Sequence, residues 1–367
     1  MSSTIKDDKT EKESSSLLIK FLSLLLVGMI STTFAEMWLG FVFIMPNTVM
    51  LFLFMIPFYG LHVIFYYNLA LYFRRTSFVA LYWWGTLFGL FEAWVTTMVY
   101  YGYANVIGHH GEYFGIAIYE YFANVFFWHP MNSFILTLMT IQILFYPKFV
   151  SEESKITETK LADTFVYNTK RNRWFWIIYA IYAGGMITSC TYGFEFQLLF
   201  YYSTFYLLIL VIYFVLRKKF AETGLSPLHV LRMSKKGLYM LGAFLGLVYI
   251  LSFLTEIGGK PIYNPLAFLI IFLTYVWCIY LVKKSKYSSI PEQSYSVTRA
   301  NNVKSKDIKP ISVRMLLLIL VAPLIISLML RAVPILAWIG GVISVELTMV
   351  FGIILLGVVS YKTLMHK

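Results

Sequence analysis

A chain of 367 residues with 59% apolar side chains, 13% charged ones and a mean hydropathy of +0.71 lies outside the range of soluble globular domains. This composition leaves no room for a hidden soluble catalytic domain. The net charge of +12 would suggest an anionic partner in a soluble protein, yet 28 of the 30 Lys and Arg residues fall on one side of a simple bilayer threading, with only Lys260 and Arg331 on the other.

That asymmetry sets the expected topology, because basic loops stay cytoplasmic. The fold class expected is all-α, a polytopic integral membrane protein of the cell membrane with about ten transmembrane helices and both termini cytoplasmic. The inner side carries +17 and the outer side with the spans −5. Anionic inner-leaflet lipid accounts for the basic face, with no nucleic acid required.

Residues 1–16 mix both charges with serine and read as a disordered cytoplasmic tail. Residues 17–30 resemble a signal-peptide h-region, but the long acidic segment before them argues against cleavage. A span needs about 20 mostly apolar residues. Such stretches fall at 17–35, 48–73, 78–101 and 122–146, a four-helix unit over 17–146. The segment 36–46 is apolar enough to extend the first span, lie in the interface or re-enter the bilayer.

Between the third and fourth spans lies the one long outer segment, 102–121. It holds four glycines, which break helix, together with His109, His110, Glu112 and Glu120. Its aromatic part, 114–121, predicts a short interfacial or re-entrant helix buried by protein. A lysine-rich cytoplasmic loop at 147–173 follows. The six-helix unit 174–367 has spans at 174–192, 198–216, 237–256, 264–282, 313–331 and 343–361. Ten spans permit a five-plus-five inverted repeat, although the residues show no internal repeat. Cys190 and Cys278 fall near opposite membrane faces, which disfavours a mutual disulfide.

Ionisable groups inside a bilayer cost about 2.5 to 3.5 kcal/mol on insertion scales, so each is a functional candidate. Glu92 lies about 14 Å below the outer end of span three and His129 about 10 Å into span four, at 1.5 Å per residue. His62 is near the middle of span two, so the three can share one layer. Gly85, Gly89, Glu92 and Thr96 follow a helical stripe, and the glycines admit a close neighbour. In span four His129, Asn132, Ser133, Thr137 and Thr140 form a second polar stripe. A buried carboxylate beside an imidazole can activate water, relay protons or couple proton movement to transport. It can equally be an interhelical hydrogen bond. Zinc is conceivable from two His and one Glu, though no ligand spacing supports it. The remaining acids form an outer rim: Glu36, Glu195, Glu256 and Glu346, with Arg331 a natural partner of Glu346.

The runs Tyr59-Gly60 through Arg74-Arg75, Gly85-x3-Gly89-Leu90-Phe91-Glu92 and 126–147 resemble a group of uncharacterised polytopic prokaryotic membrane proteins. Their signature is similar to that of the CAAX-protease and bacteriocin-processing family, which are glutamate-type intramembrane proteases. The resemblance covers about residues 36–150. It implies that Glu92 matches the water-activating glutamate and Phe126-x-x-His129 the second motif; in a hydrolase reading of the residues, His62 and Asn132 help this pair. Ala93 stands where that family has a second Glu, and no later His-x-x-x-Asn follows. Three classes of function stay open: an intramembrane hydrolase, a transporter or proton-coupled carrier, and a non-catalytic scaffold or subunit with a protein partner.

Overall fold

The computed structural model describes residues 17–39, 54–95, 112–113, 116–145, 169–191, 195–223, 226–259, 265–286 and 317–365. Apart from one two-stranded sheet, the described elements are helices. In chain order these are α1 (Leu17–Thr32, running on as the π-helical turn Thr33–Met37), α2 (Ile56–Tyr72) and α3 (Phe78–Val95). The strands β1 (Glu112–Tyr113) and β2 (Ile116–Ala117) follow, then α4 (Ile118–Ala123), a π-helical segment Asn124–Leu136 and α5 (Thr137–Phe145). The rest are α6 (Thr169–Cys190), α7 (Glu195–Thr223), α8 (Pro227–Val230), α9 (Lys235–Gly259), α10 (Pro265–Lys284), the π-helical turn Leu317–Val321 with α11 (Ala322–Arg331), and α12 (Pro334–Met365).

Among the described residues, four helices are long and apolar enough to cross a membrane by length and composition: Leu17–Met37, Leu199–Phe220, Pro265–Lys284 and Pro334–Met365. The last two bury only 28% and 22% of their apolar windows within the chain. Large side chains such as Leu207, Phe214, Leu247, Leu273, Ile343 and Ile354 are exposed, while Ser23, Thr32, His62, Asn132, Thr137 and Thr140 are buried. Apolar outside and polar inside is the arrangement expected where hydrocarbon is the solvent.

The chain divides into two compact units. The first comprises Met1–Gly60, Thr137–Arg232 and Ser288–Ser344. In it α1 packs on α5, α7 and α8, and α6 packs on α11. The Thr188 hydroxyl ties that last contact by donating to Gly184 O at 2.7 Å and meeting Ser327 Oγ at 3.0 Å. Arg331 closes the open end of α6: its Nη2 donates to Ile187 O at 3.1 Å and also to Thr191 Oγ1. A guanidinium on the last carbonyls of a helix meets the negative end of the helix dipole.

The second unit comprises Leu61–Leu136, Met233–Tyr287 and Val345–Lys367. Its axis is α3, which packs against the π-helical segment, α9 and α10. Trp83, Phe88, Phe91, Trp128 and Phe134 fill its interior. Polar anchors reach across from flanking helices: Trp83 Nε1 donates to Thr363 Oγ1 at 2.9 Å, and Tyr119 OH to Val345 O at 2.6 Å.

Two expectations are corrected here. Of the helix expected over 114–121, Ile118 to Tyr121 are helical and run directly into the fourth span, whereas Ile116 and Ala117 pair in an antiparallel register, Glu112↔Ala117 and Tyr113↔Ile116. The last outer loop, expected to reach residue 342, is a short turn after Arg331. Pro334 starts α12 because proline is preset for a first helical turn. The Gly340-Gly341 pair then lies inside the helix, where a Cβ on Gly341 would stand 3.0 Å from Ser189 Cβ. Glu346 consequently lies far along α12, not one turn into it, and is exposed.

Candidate functional site

The site grows from a proline. Pro130 has no N–H, so in α geometry the carbonyl of Phe126, four residues back, would lose its donor. Tyr82 of α3 donates to that carbonyl at 2.7 Å. The backbone around Pro130 is a wide π-helix over Asn124–Leu136, a geometry that often accompanies functional sites. Within it His129 Nδ1 meets Ser133 Oγ at 2.9 Å, and Asn132 and Ser133 are fully buried.

α3 can approach this segment because it offers glycine. A Cβ on Gly85 would stand 2.7 Å from Pro130 Cα, and one on Gly89 would stand 3.1 Å from Val125 Cα and 3.2 Å from His129 Cβ. The glycine stripe of α3 therefore lies directly on the His129 turn. Glu92 occupies α3 three residues beyond Gly89; its side chain is outside the described part of the structure.

His62, on α2, is buried in an aromatic stack with ring centroids 5.2 Å from Phe88, 4.6 Å from Phe91 and 5.5 Å from Tyr249. Its Nε2 lies 2.5 Å from the Tyr249 hydroxyl. Phe88 also touches His129, at 5.7 Å between centroids, so one phenyl ring contacts both imidazoles. The structure thus brings His62, His129, Asn132 and the Glu92-bearing turn into one unit. It adds Tyr249, Tyr82, Phe88 and Phe91, which sequence reasoning missed. Only Tyr249 carried a signal, as a phenol deep inside an apolar stretch, and it was lost among 28 tyrosines.

The outer-rim candidates divide differently. His109 and His110 lie outside the described residues. Glu112 is placed in β1, Glu195 at the start of α7 and Glu256 within α9, with their side chains outside the described part. Glu120 is half-buried in α4, and Glu346 is exposed on α12. Glu36 is buried at 5% exposure in the first unit, where the Tyr59 hydroxyl donates to its Oε1, so it does not stand on an open rim. Among the described residues no three His, Cys, Asp or Glu side chains gather as a metal-binding set.

The model of an uncharacterised membrane protein family matches residues 25–365. The chain belongs to that family. Its match extends over both units, whereas the likeness to glutamate-type proteases is confined to 36–150 and gains no support from it. Family membership and the apolar helices together make this a membrane protein. No curated protein and no solved structure matches the chain.

Proposed function

We propose that the chain crosses the cell membrane ten times with both termini inside, and that its second unit holds an acid/base site of hydrolase type. In this reading the Glu92 carboxylate takes a proton from water, the hydroxide oxygen attacks a carbonyl carbon within the bilayer, and the bond from that carbon to the leaving atom breaks as His129 relays to it the proton taken by Glu92. Asn132 and His62 orient the participants. The observation that supports it is the contact of the Gly85 and Gly89 stripe with the His129 turn, because Glu92 continues that stripe.

A second reading, a proton-coupled carrier, is favoured by the 2.5 Å contact between His62 and Tyr249, a pair able to pass a proton between α2 and α9. The two readings separate in proteoliposomes. Wild type and Glu92→Gln are given a panel of fluorogenic peptide and acyl esters embedded in the bilayer, and a pH gradient is followed in parallel with an internal dye. The hydrolase reading expects cleavage by wild type alone. Proton flux without cleavage replaces it by the carrier, and a folded Glu92→Gln variant that still cleaves contradicts the hydrolase reading. Retention of a co-purifying protein by wild type and variant alike, with neither activity, marks a scaffold.

A further inference from the structure

Basic side chains converge at one end of the second unit. α2 ends at Tyr72 and is followed by Arg74 and Arg75; α9 begins with Lys235 and Lys236; α10 ends with Lys283 and Lys284, and Lys286 lies just beyond. Three contacts hold these ends together. Arg75 Nη2 donates to Lys283 O at 2.7 Å, the Met233 N–H donates to Asn68 Oδ1 at 2.8 Å, and Lys235 Nζ lies 5.9 Å from the ring centroid of Tyr72.

No Asp or Glu occurs at 69–78, 233–239, 280–286 or 360–365, the described stretches that make this end. The lysines of this end therefore have no carboxylate beside them in these described stretches. Arg74, Lys235, Lys236, Lys283, Lys284 and Lys286 are all exposed. Two lysines are also held over aromatic faces: Lys235 Nζ is 5.8 Å from the Tyr239 centroid and Lys284 Nζ 5.8 Å from that of Tyr280. A cation within about 6 Å of a ring face is attracted to it, which restrains the flexible stem.

Large apolar side chains accompany the charges. Phe73, Tyr239, Met240, Ile279 and Tyr280 are exposed beside them. A free phosphate or a nucleic acid would use the cations and leave this apolar surface wet. An amphiphile uses both.

We propose that this end of the second unit binds an anionic phospholipid, its phosphate held by Lys235, Lys236 and Lys284 and its upper acyl segments lying on Phe73, Tyr239 and Met240. The inference rests on the inward orientation of this end proposed above, and it goes beyond a general positive-inside bias by assigning one lipid site to one group of helix ends. Clustered basic residues at an inner interface recognise anionic headgroups through summed attraction.

The test uses the full-length protein in mild detergent, with phosphatidylglycerol or phosphatidylcholine of identical acyl chains added and lipid retention read by native mass spectrometry. Wild type is expected to retain the anionic lipid about tenfold over the zwitterionic one. The triple variant Lys235→Gln, Lys236→Gln, Lys284→Gln loses that preference, Lys→Arg at the same three positions keeps it, and Arg217→Gln, Lys218→Gln, Lys219→Gln on α7 keeps it too. Equal retention of both lipids by wild type overturns the proposal, as does an equal loss in the α7 variant. Labelling of a cysteine at position 236 by an impermeant thiol reagent, added from each side of sealed vesicles, reports orientation separately. A wrong topology and an absent site therefore give different results.

Discussion

At the scale of single residues, two glycines and a tyrosine decide how the site closes. A methyl on Gly85 would press on the Cα of Pro130, which is backbone and cannot swing away. Gly85→Ala is accordingly expected to destabilise by about 1 to 3 kcal/mol, the usual cost of overpacking. Gly246 on α9 has open space where a Cβ would go, so Gly246→Ala should be neutral or gain up to about 1 kcal/mol from helix propensity. Unfolding in mixed micelles reads both; equal effects would contradict the close approach of α3 to the π-helical segment. Tyr249→Phe removes the hydroxyl that meets His62 Nε2. Interhelical hydrogen bonds in membranes average about 0.6 kcal/mol, so stability should fall little. Proton flux in liposomes, if the carrier reading holds, should fall to background. The candidate residues themselves were legible because an ionisable or imidazole group in an apolar run stands out on cost alone. Their partners were not, since an aromatic ring in a chain with 19% aromatics carries no such mark.

At the scale of elements, the π-helical segment Asn124–Leu136 is the least ordinary feature. The account ties it to Pro130 and to Tyr82, whose hydroxyl takes the Phe126 carbonyl. Pro130→Ala restores an N–H that lets the segment return to α geometry, where residue 130 donates to the Phe126 carbonyl and competes with Tyr82, so the two positions should be coupled. Tyr82→Phe is expected to cost about 0.6 kcal/mol in wild type and less in the Pro130→Ala background. Additive losses in that double-mutant cycle would show that the hydroxyl does not serve the proline gap. The position of the fourth helix was readable from apolar length, but its π geometry was not, because the choice between α and π depends on what the neighbouring helix offers. The same limit explains the last helix. A last span expected to start at 343 leaves Gly340 and Gly341 in the loop before it, yet inside α12 Gly341 is the contact that lets Ser189 approach. Glycine in a membrane helix serves packing as often as it ends structure.

At the scale of the whole molecule, composition and charge asymmetry were enough to read a membrane protein built from helices, and the family match over 25–365 agrees. Each compact unit is assembled from three separated segments, a division that leaves no trace in hydropathy because every span is apolar whichever unit it joins. The proposed topology places the 147–173 and 283–312 loops inside. Single cysteines in these loops of a chain lacking Cys190 and Cys278 should label only after the vesicles are made permeable, and a cysteine at 260 should label without it. The reverse pattern would invert the orientation.

The central claim is that Glu92 and His129 act on one another. A lipid-nanodisc structure that places the Glu92 side chain measures this directly. The account predicts the carboxylate within about 3 Å of the His129 ring, or joined to it through one water. A separation beyond about 7 Å with nothing between them, or a carboxylate turned toward acyl chains, would exceed hydrogen-bond reach and contradict it.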